Sequence, residues 1–274
     1  MSLRALATSC VFNVYFRLKG CRVPQVRRFL ARSQFWAPAR LRGLQDEALR
    51  DLVRYAYEHV PYYRAVMRER GLQPGDIRTQ DDLRLLPVLT KEGLRRNWES
   101  LRSDEARRGV YLRRTGGSTG EPLGVLSDDA NGDWENAAGV RGMGWMGYHE
   151  GDPIAVLFGG SLGLKQDSLR DRLRRALMGE TFLPAFEIRP ENALDYAGVI
   201  TRKRLRFLRG YASALYILAR LLRERGAALP LAGVSSTAET LLDFQRETME
   251  QVYGCRVSDQ YLSLIHISEP TRPY

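Results

Sequence analysis

Three glycines and three hydroxyl residues fill six consecutive positions: Thr115, Gly116, Gly117, Ser118, Thr119 and Gly120. Glu121 and Pro122 follow. Glycine lets the backbone come close to a ligand. Successive N–H groups in such a turn form a concave anion nest, and hydroxyls add donors. Phosphate is the natural guest. The flanking residues 109–114 and 123–127 read as two short strands joined by this loop. A Walker A loop is excluded, because Glu121 stands where that motif needs Lys. Gly116, Ser118 and Gly120 also fit G-x-S-x-G, the nucleophile elbow of α/β-hydrolases. That reading needs a helix directly after Ser118 and a later His as base, and only His149 and His266 follow. A plain Gly/Ser hairpin is the third reading.

The elements around the loop divide into a helical preface and an alternating part. Residues 3–18 space Leu3, Leu6, Ala7, Cys10, Val11, Val14, Tyr15 and Leu18 as one apolar face of a helix. Pro24 opens a second short helix. Leu44–Val60 is a strong amphipathic helix, broken by Pro61. Thr79 with Asp82 resembles a capping box, and Thr90 caps a helix reaching Trp98. After the loop, 128–146 reads as a glycine-interrupted helix. Strands are then expected at Pro153–Phe158, Thr181–Ile188, Arg204–Leu208, Leu231–Ser236 and Cys255–Tyr261. Helices are expected at Ser168–Met178, from Pro190, at Ala212–Arg225 and at Leu241–Tyr253. Alternation of this kind argues an α/β fold: a mostly parallel sheet covered by helices, behind a helical N-terminal preface. Ligands in such sheets sit at the carboxyl ends of the strands, where Thr237–Glu239 and Tyr261 fall.

Charge and composition narrow the function. The 274 residues carry a net charge of +10. Residues 1–45 hold nine basic residues and no acid, leaving 33 basic against 32 acidic residues elsewhere. The body is therefore near neutral, which argues against nucleic acid as a partner. Three cysteines, Cys10, Cys21 and Cys255, have neither metal spacing nor a disulfide framework and suit a reducing cytoplasm. The basic arm has two readings: residues 1–20 lie on an anionic membrane surface as peripheral contact, or, the favoured one, α-helical residues 3–18 dock on their own domain.

Five further stretches stand in order around the loop: Tyr55–Tyr63, Leu86–Lys91, Gly210–Leu215, Thr237–Glu239 and Ser258–Tyr261. Together with it they resemble the adenylate-forming (AMP-binding) enzyme superfamily over Leu44–Tyr261, in particular its phenylacetate–CoA ligase and capsular-polysaccharide-biosynthesis branch. The resemblance implies two-step chemistry. A carboxylic acid is activated with ATP and Mg²⁺ to an acyl-adenylate, and the acyl group then passes to CoA. It also implies that Thr115, Gly116, Gly117, Ser118, Thr119 and Gly120 hold the β/γ-phosphates. Ala238 and Glu239 would line the adenine side, and Tyr261 would stack on the base. Glu239 has a second reading, as a cap of the following helix, and Tyr261 another, as core. Glu121 occupies a position where many members carry Lys, so one cation fewer faces the phosphates. No metal-ligating side chain is assigned. The expected partner is a small-molecule carboxylate. A non-catalytic nucleotide-binding or scaffold protein of surface-polysaccharide assembly is the alternative.

The family pattern continues after Tyr261 with Gly, two variable residues and Glu. Leu262–Tyr274 follows here instead and resembles a translated sequencing adaptor. The expected organisation is a basic helical arm (1–43), a partial adenylation domain (44–261) and a non-native tail (262–274). On this expectation the chain is an incomplete enzyme, weak or inactive. Its catalytic Lys, which the resemblance places in a small C-terminal domain, is absent.

Overall fold

Proline places the first helix boundaries. The computed structural model describes residues 3–105, 109–114, 123–159 and 175–260. Helix α1 runs Leu3–Leu18, α2 Val23–Ser33, α3 Pro38–His59 and α4 Pro61–Glu69. Pro24, Pro38 and Pro61 occupy first turns, where a missing N–H costs no intrahelical bond. Val60, between α3 and α4, is drawn out of the helical region to φ −118° and ψ 104°, as residues before proline are. Residues 1–27 and 133–274 cluster as one unit, and residues 28–132 as the other.

The unit of residues 28–132 has a small core of Val53, Met67 and Ile77, with Leu49, Tyr57, Leu72 and Leu86 packed on it. Asp82 accepts the N–H groups of Thr79 at 2.9 Å and Arg78 at 3.1 Å. Those bonds hold its carboxyl below the ordinary carboxylate range. The expected cap is present, but it starts a 3₁₀ segment, Gln80–Leu85. Thr90 Oγ1 accepts the Gly93 N–H at 3.0 Å and opens α5, Lys91–Arg96, which stops short of Trp98. Strands β1 (Tyr111–Arg114) and β2 (Gly124–Ser127) pair antiparallel, with Arg114 opposite Gly124. Asp128 Oδ1 accepts the Asn131 N–H at 2.8 Å at the head of α6, Asp129–Trp145.

Helix α1 corrects the sequence reading of its inward face. Leu6, Val11, Val14, Tyr15 and Leu18 are exposed, Leu18 at 84%, whereas Thr8 is buried. Thr8 Oγ1 donates to the Leu177 carbonyl at 3.2 Å, and Phe12 and Phe16 are half-buried. The helix is apolar on both sides, so the bulky aromatic side wins the docking. Downstream, Asp133 accepts the Arg22 N–H at 2.6 Å. Arg27 forks onto Glu150 at 2.7 and 2.9 Å. The Thr8 bond fits the docked reading of residues 3–18, and the other two hold the chain that follows.

The alternation read from the sequence becomes five parallel strands: β3 (Ile154–Phe158), β4 (Glu180–Pro184), β5 (Phe207–Tyr211), β6 (Gly233–Thr237) and β7 (Val257–Gln260), in order β4-β3-β5-β6-β7. The unbroken apolar run of β3 is what a strand covered on both faces requires. Helix α7 is Ala193–Arg202, α8 Ala212–Glu224 and α9 Asp243–Tyr253. One sheet face, with Leu157, Leu208, Val234 and Val257, meets Ile200, Leu215, Leu218, Leu222, Met249 and Val252 from these helices. Each such burial contributes about 1.5–3 kcal/mol. Tyr253, fully buried there, donates to the Leu215 carbonyl at 2.7 Å. The opposite face meets Met143, Met146 and Tyr148 at Ile154 and Phe207. Strand β5 lies three residues later than expected, because Arg204 and Leu205 complete the end of α7. The Leu205 N–H bonds Ile200, and the Arg204 N–H bonds Thr201, with Arg204 at φ +51°.

Candidate functional site

The site is best read at the carboxyl ends of the parallel strands, where loops leave a covered sheet and a ligand finds backbone groups free. Tyr211, Thr237 and Gln260 are register partners on β5, β6 and β7. Register partners on adjacent parallel strands share a face. The Gln260 amide nitrogen lies 4.0 Å from the point a Cβ on Gly139 would occupy, so this face is the one toward α6. Thr237 and Gln260 are buried, at 1% and 7% exposure. Even so, Thr237 Oγ1 and Gln260 Oε1 have no hydrogen-bond partner among the described residues. Buried polar atoms are nearly always paired, so two orphans side by side at strand ends mark a place for a polar ligand.

Ala238 follows directly, at φ +68°. A left-handed alanine is strained, and such strain clusters at ligand sites. Glu239 accepts the Ser213 N–H through Oε2 at 2.8 Å. Its carboxylate thus caps the first turn of α8, where negative charge is favoured. The reading of Glu239 as a cap of the following helix is corrected. That helix begins with the Leu242 N–H donating to Gln245 Oε1 at 3.1 Å, and Glu239 serves the preceding one. Beside these residues the ring of Tyr211 stacks on Phe186 at 6.2 Å and meets Phe158 edge-on at 5.0 Å. Phe186 is 76% exposed.

Ala238 and Glu239 therefore stand together at a strand end. Thr115, Gly116, Gly117, Ser118, Thr119, Gly120 and Tyr261 lie outside the described residues. The frame of the loop is described: its anchors, Arg114 and Gly124, are partners in a two-stranded ladder. This ladder removes the nucleophile-elbow reading. The chain returns from the loop as strand β2, and α6 begins only at Asp129, whereas an elbow serine leads straight into a helix. Gln260 was not singled out from the sequence, and Thr237 only as part of the Thr237–Glu239 stretch. Their signal is the pairing of two strand ends, and the register of parallel strands is not written in local sequence. Among the described residues no group of three or more His, Cys, Asp or Glu stands together to hold a metal. A groove of about 520 Å³ lined by Ile200, Thr201, Arg204–Arg206 and Ala228–Ala232 opens at the amino ends of the strands, away from these residues.

No protein-family model matches the sequence. The chain is 31% identical over 147 residues to phenylacetate-coenzyme A ligase of Escherichia coli (strain K12), covering 53% of this chain and 33% of that protein. It is 33% identical over 150 residues to the Pseudomonas putida enzyme of the same name, again covering 53% and 33%. Protein CapK of Staphylococcus aureus matches at 21% identity, over 80% of this chain and 49% of that protein. Among solved structures, 2-hydroxyisobutyryl-CoA ligase, in an open conformation with 2-HIB-AMP and CoA, superposes with a TM-score of 0.60. The identity is 21%, with 82% of this chain and 54% of that one covered. The chain thus spans a third to a half of the length of the relatives it matches. Sheet, helices and sequence relatives agree with the resemblance to the adenylate-forming superfamily. The sequence relatives named above are phenylacetate–CoA ligases and CapK.

Proposed function

We propose that this protein acts in ATP-dependent activation of a carboxylic acid to its acyl-adenylate, with transfer of the acyl group to CoA. The observation that carries the reading is the match to acid–CoA ligases, with orphan polar atoms at this chain's own strand ends. In this reading residues 44–261 are the adenylation-domain part. The backbone of Gly116–Gly120 and the hydroxyls of Thr115, Ser118 and Thr119 hold the β/γ-phosphates. Ala238 and Glu239 line the adenine side, Thr237 and Gln260 offer it hydrogen bonds, and Tyr261 stacks on the base. Positioning and charge stabilisation supply the catalysis. Mg²⁺ would arrive with the nucleotide; no side chain is assigned to it, and no step is routed through it. The protein would work in the cytoplasm on a small carboxylate. The match to CapK over most of this chain favours a second reading, a non-catalytic nucleotide-binding protein of surface-polysaccharide assembly.

Calorimetric titration with ATP tests the shared part of both readings. The chain should bind ATP, and Ser118→Ala with Thr119→Ala should weaken it strongly. Each lost bond to a charged phosphate costs about 1.5–3 kcal/mol. Carboxylate-dependent pyrophosphate release by a protein extended to the length of its relatives then separates ligase from scaffold. Absence of ATP binding by the unmodified chain would remove both.

A further inference from the structure

We propose that the outward face of α1 is a docking surface for an anionic lipid bilayer. The argument begins with the helix itself. One side, Thr8, Phe12 and Phe16, faces its own unit, and Thr8 bonds the Leu177 carbonyl at 3.2 Å. The other side is a stripe of Leu6, Cys10, Val11, Val14, Tyr15 and Leu18, and all six are exposed. At 100° per residue these positions fall within one half of the helix surface. A helix that is apolar all round belongs under cover on all sides, yet only one side of α1 is covered.

Charge identifies the cover. Arg17, Lys19 and Arg22 are exposed at and just past the C-terminal end of the stripe, and residues 1–45 contain no acid at all. An apolar stripe edged by cations is the pattern of a helix lying in a headgroup layer, where burial and attraction to anionic lipid add. Length fixes the geometry. Sixteen residues rise about 24 Å, short of the roughly 30 Å hydrocarbon thickness, so the helix lies along the surface and does not span. A second copy of the chain is the poorer occupant. It would bring two sets of unneutralised cations together with no carboxylate in α1 to meet them. The docking rests on α1 alone and is independent of the nucleotide chemistry.

Co-sedimentation of the 274-residue chain with vesicles tests this. Vesicles containing phosphatidylglycerol should carry the protein down, and pure phosphatidylcholine vesicles should leave it in solution. Val14→Glu with Leu18→Glu should cut binding at least ~10-fold without changing far-UV circular dichroism, because both side chains are already exposed. Arg17→Gln with Lys19→Gln should reduce binding to phosphatidylglycerol in a salt-sensitive way. Equal binding to both vesicle types, binding untouched by the glutamates, or no binding would each overturn the proposal. So would a dimer in sedimentation velocity that Val14→Glu disperses, because that result would assign the stripe to a second copy.

Discussion

The two ends of the parallel sheet are built to opposite rules. At the amino end, the entries of β3, β5 and β6 are tied by backbone. Ile154 donates to Gly179 at 3.0 Å, Arg206 to Pro153 at 3.0 Å, and Ala232 to Arg206 at 2.7 Å. Buried Asp152 accepts the His149 N–H at 2.9 Å. Two glycines allow the fit: a Cβ on Gly179 or Gly233 would come within 2.9 Å of a backbone carbonyl. The carboxyl end instead leaves Thr237 Oγ1 and Gln260 Oε1 buried and unpaired among the described residues. Each end also holds one left-handed non-glycine residue. Arg204 is explained by the helix end it closes, whereas Ala238 has no such local account. Satisfied hydrogen bonds mark the end that holds the fold together. Unsatisfied ones, at a cost in stability, mark the end kept for a ligand.

Crowding the tight amino end and removing an unpaired group at the carboxyl end should therefore move stability in opposite directions. The largest effect belongs to Gly179→Ala. It forces a side chain into left-handed backbone at φ +71° and against the Asp152 carbonyl. A loss of about 3 kcal/mol is expected, lowering the thermal midpoint by roughly 6–12 °C. A neutral result would deny that the amino end is the tight one. Thr237→Val comes next, with the opposite sign. It deletes an unpartnered buried hydroxyl in an isosteric change and should stabilise the free protein by about 1 kcal/mol while weakening ATP binding. If thermal unfolding shows Thr237→Val to be destabilising, the hydroxyl has a partner and the comparison fails. The smallest effect is Arg204→Gly. It relieves a strained cap but frees the unfolded chain, for a net gain of a few tenths to about 1 kcal/mol. That gain should appear in chemical denaturation with ATP affinity unchanged.

Much of this fold was legible because its signals are local. The apolar run of β3, the prolines at 24 and 61, and the caps at Thr79 and Thr90 each act within a few residues. The errors came where distant groups decide. Gly210 and Tyr211 look like a turn, yet they continue β5 because β3 and β6 pair on either side. The exposed stripe of α1 looks like the buried one until Thr8, on the other side, finds the Leu177 carbonyl. Glu239 finds its partner 26 residues earlier, a pairing no window of sequence contains. Composition alone picked out the glycine-rich stretch, which lies outside the described residues; the β1–β2 ladder on either side of it argues against the hydrolase alternative.

The Glu239 carboxylate has a consequence for how this chain can drift. It serves the head of α8, and in the proposed reading it also faces the nucleotide. Its neighbour Thr240 is exposed and free to vary. A replacement at position 239 must suit two masters at once: a helix that wants negative charge at its first turn and a ligand that is itself anionic. Among descendants of this sequence, variation should run freely on one side of that peptide bond and stop at the other.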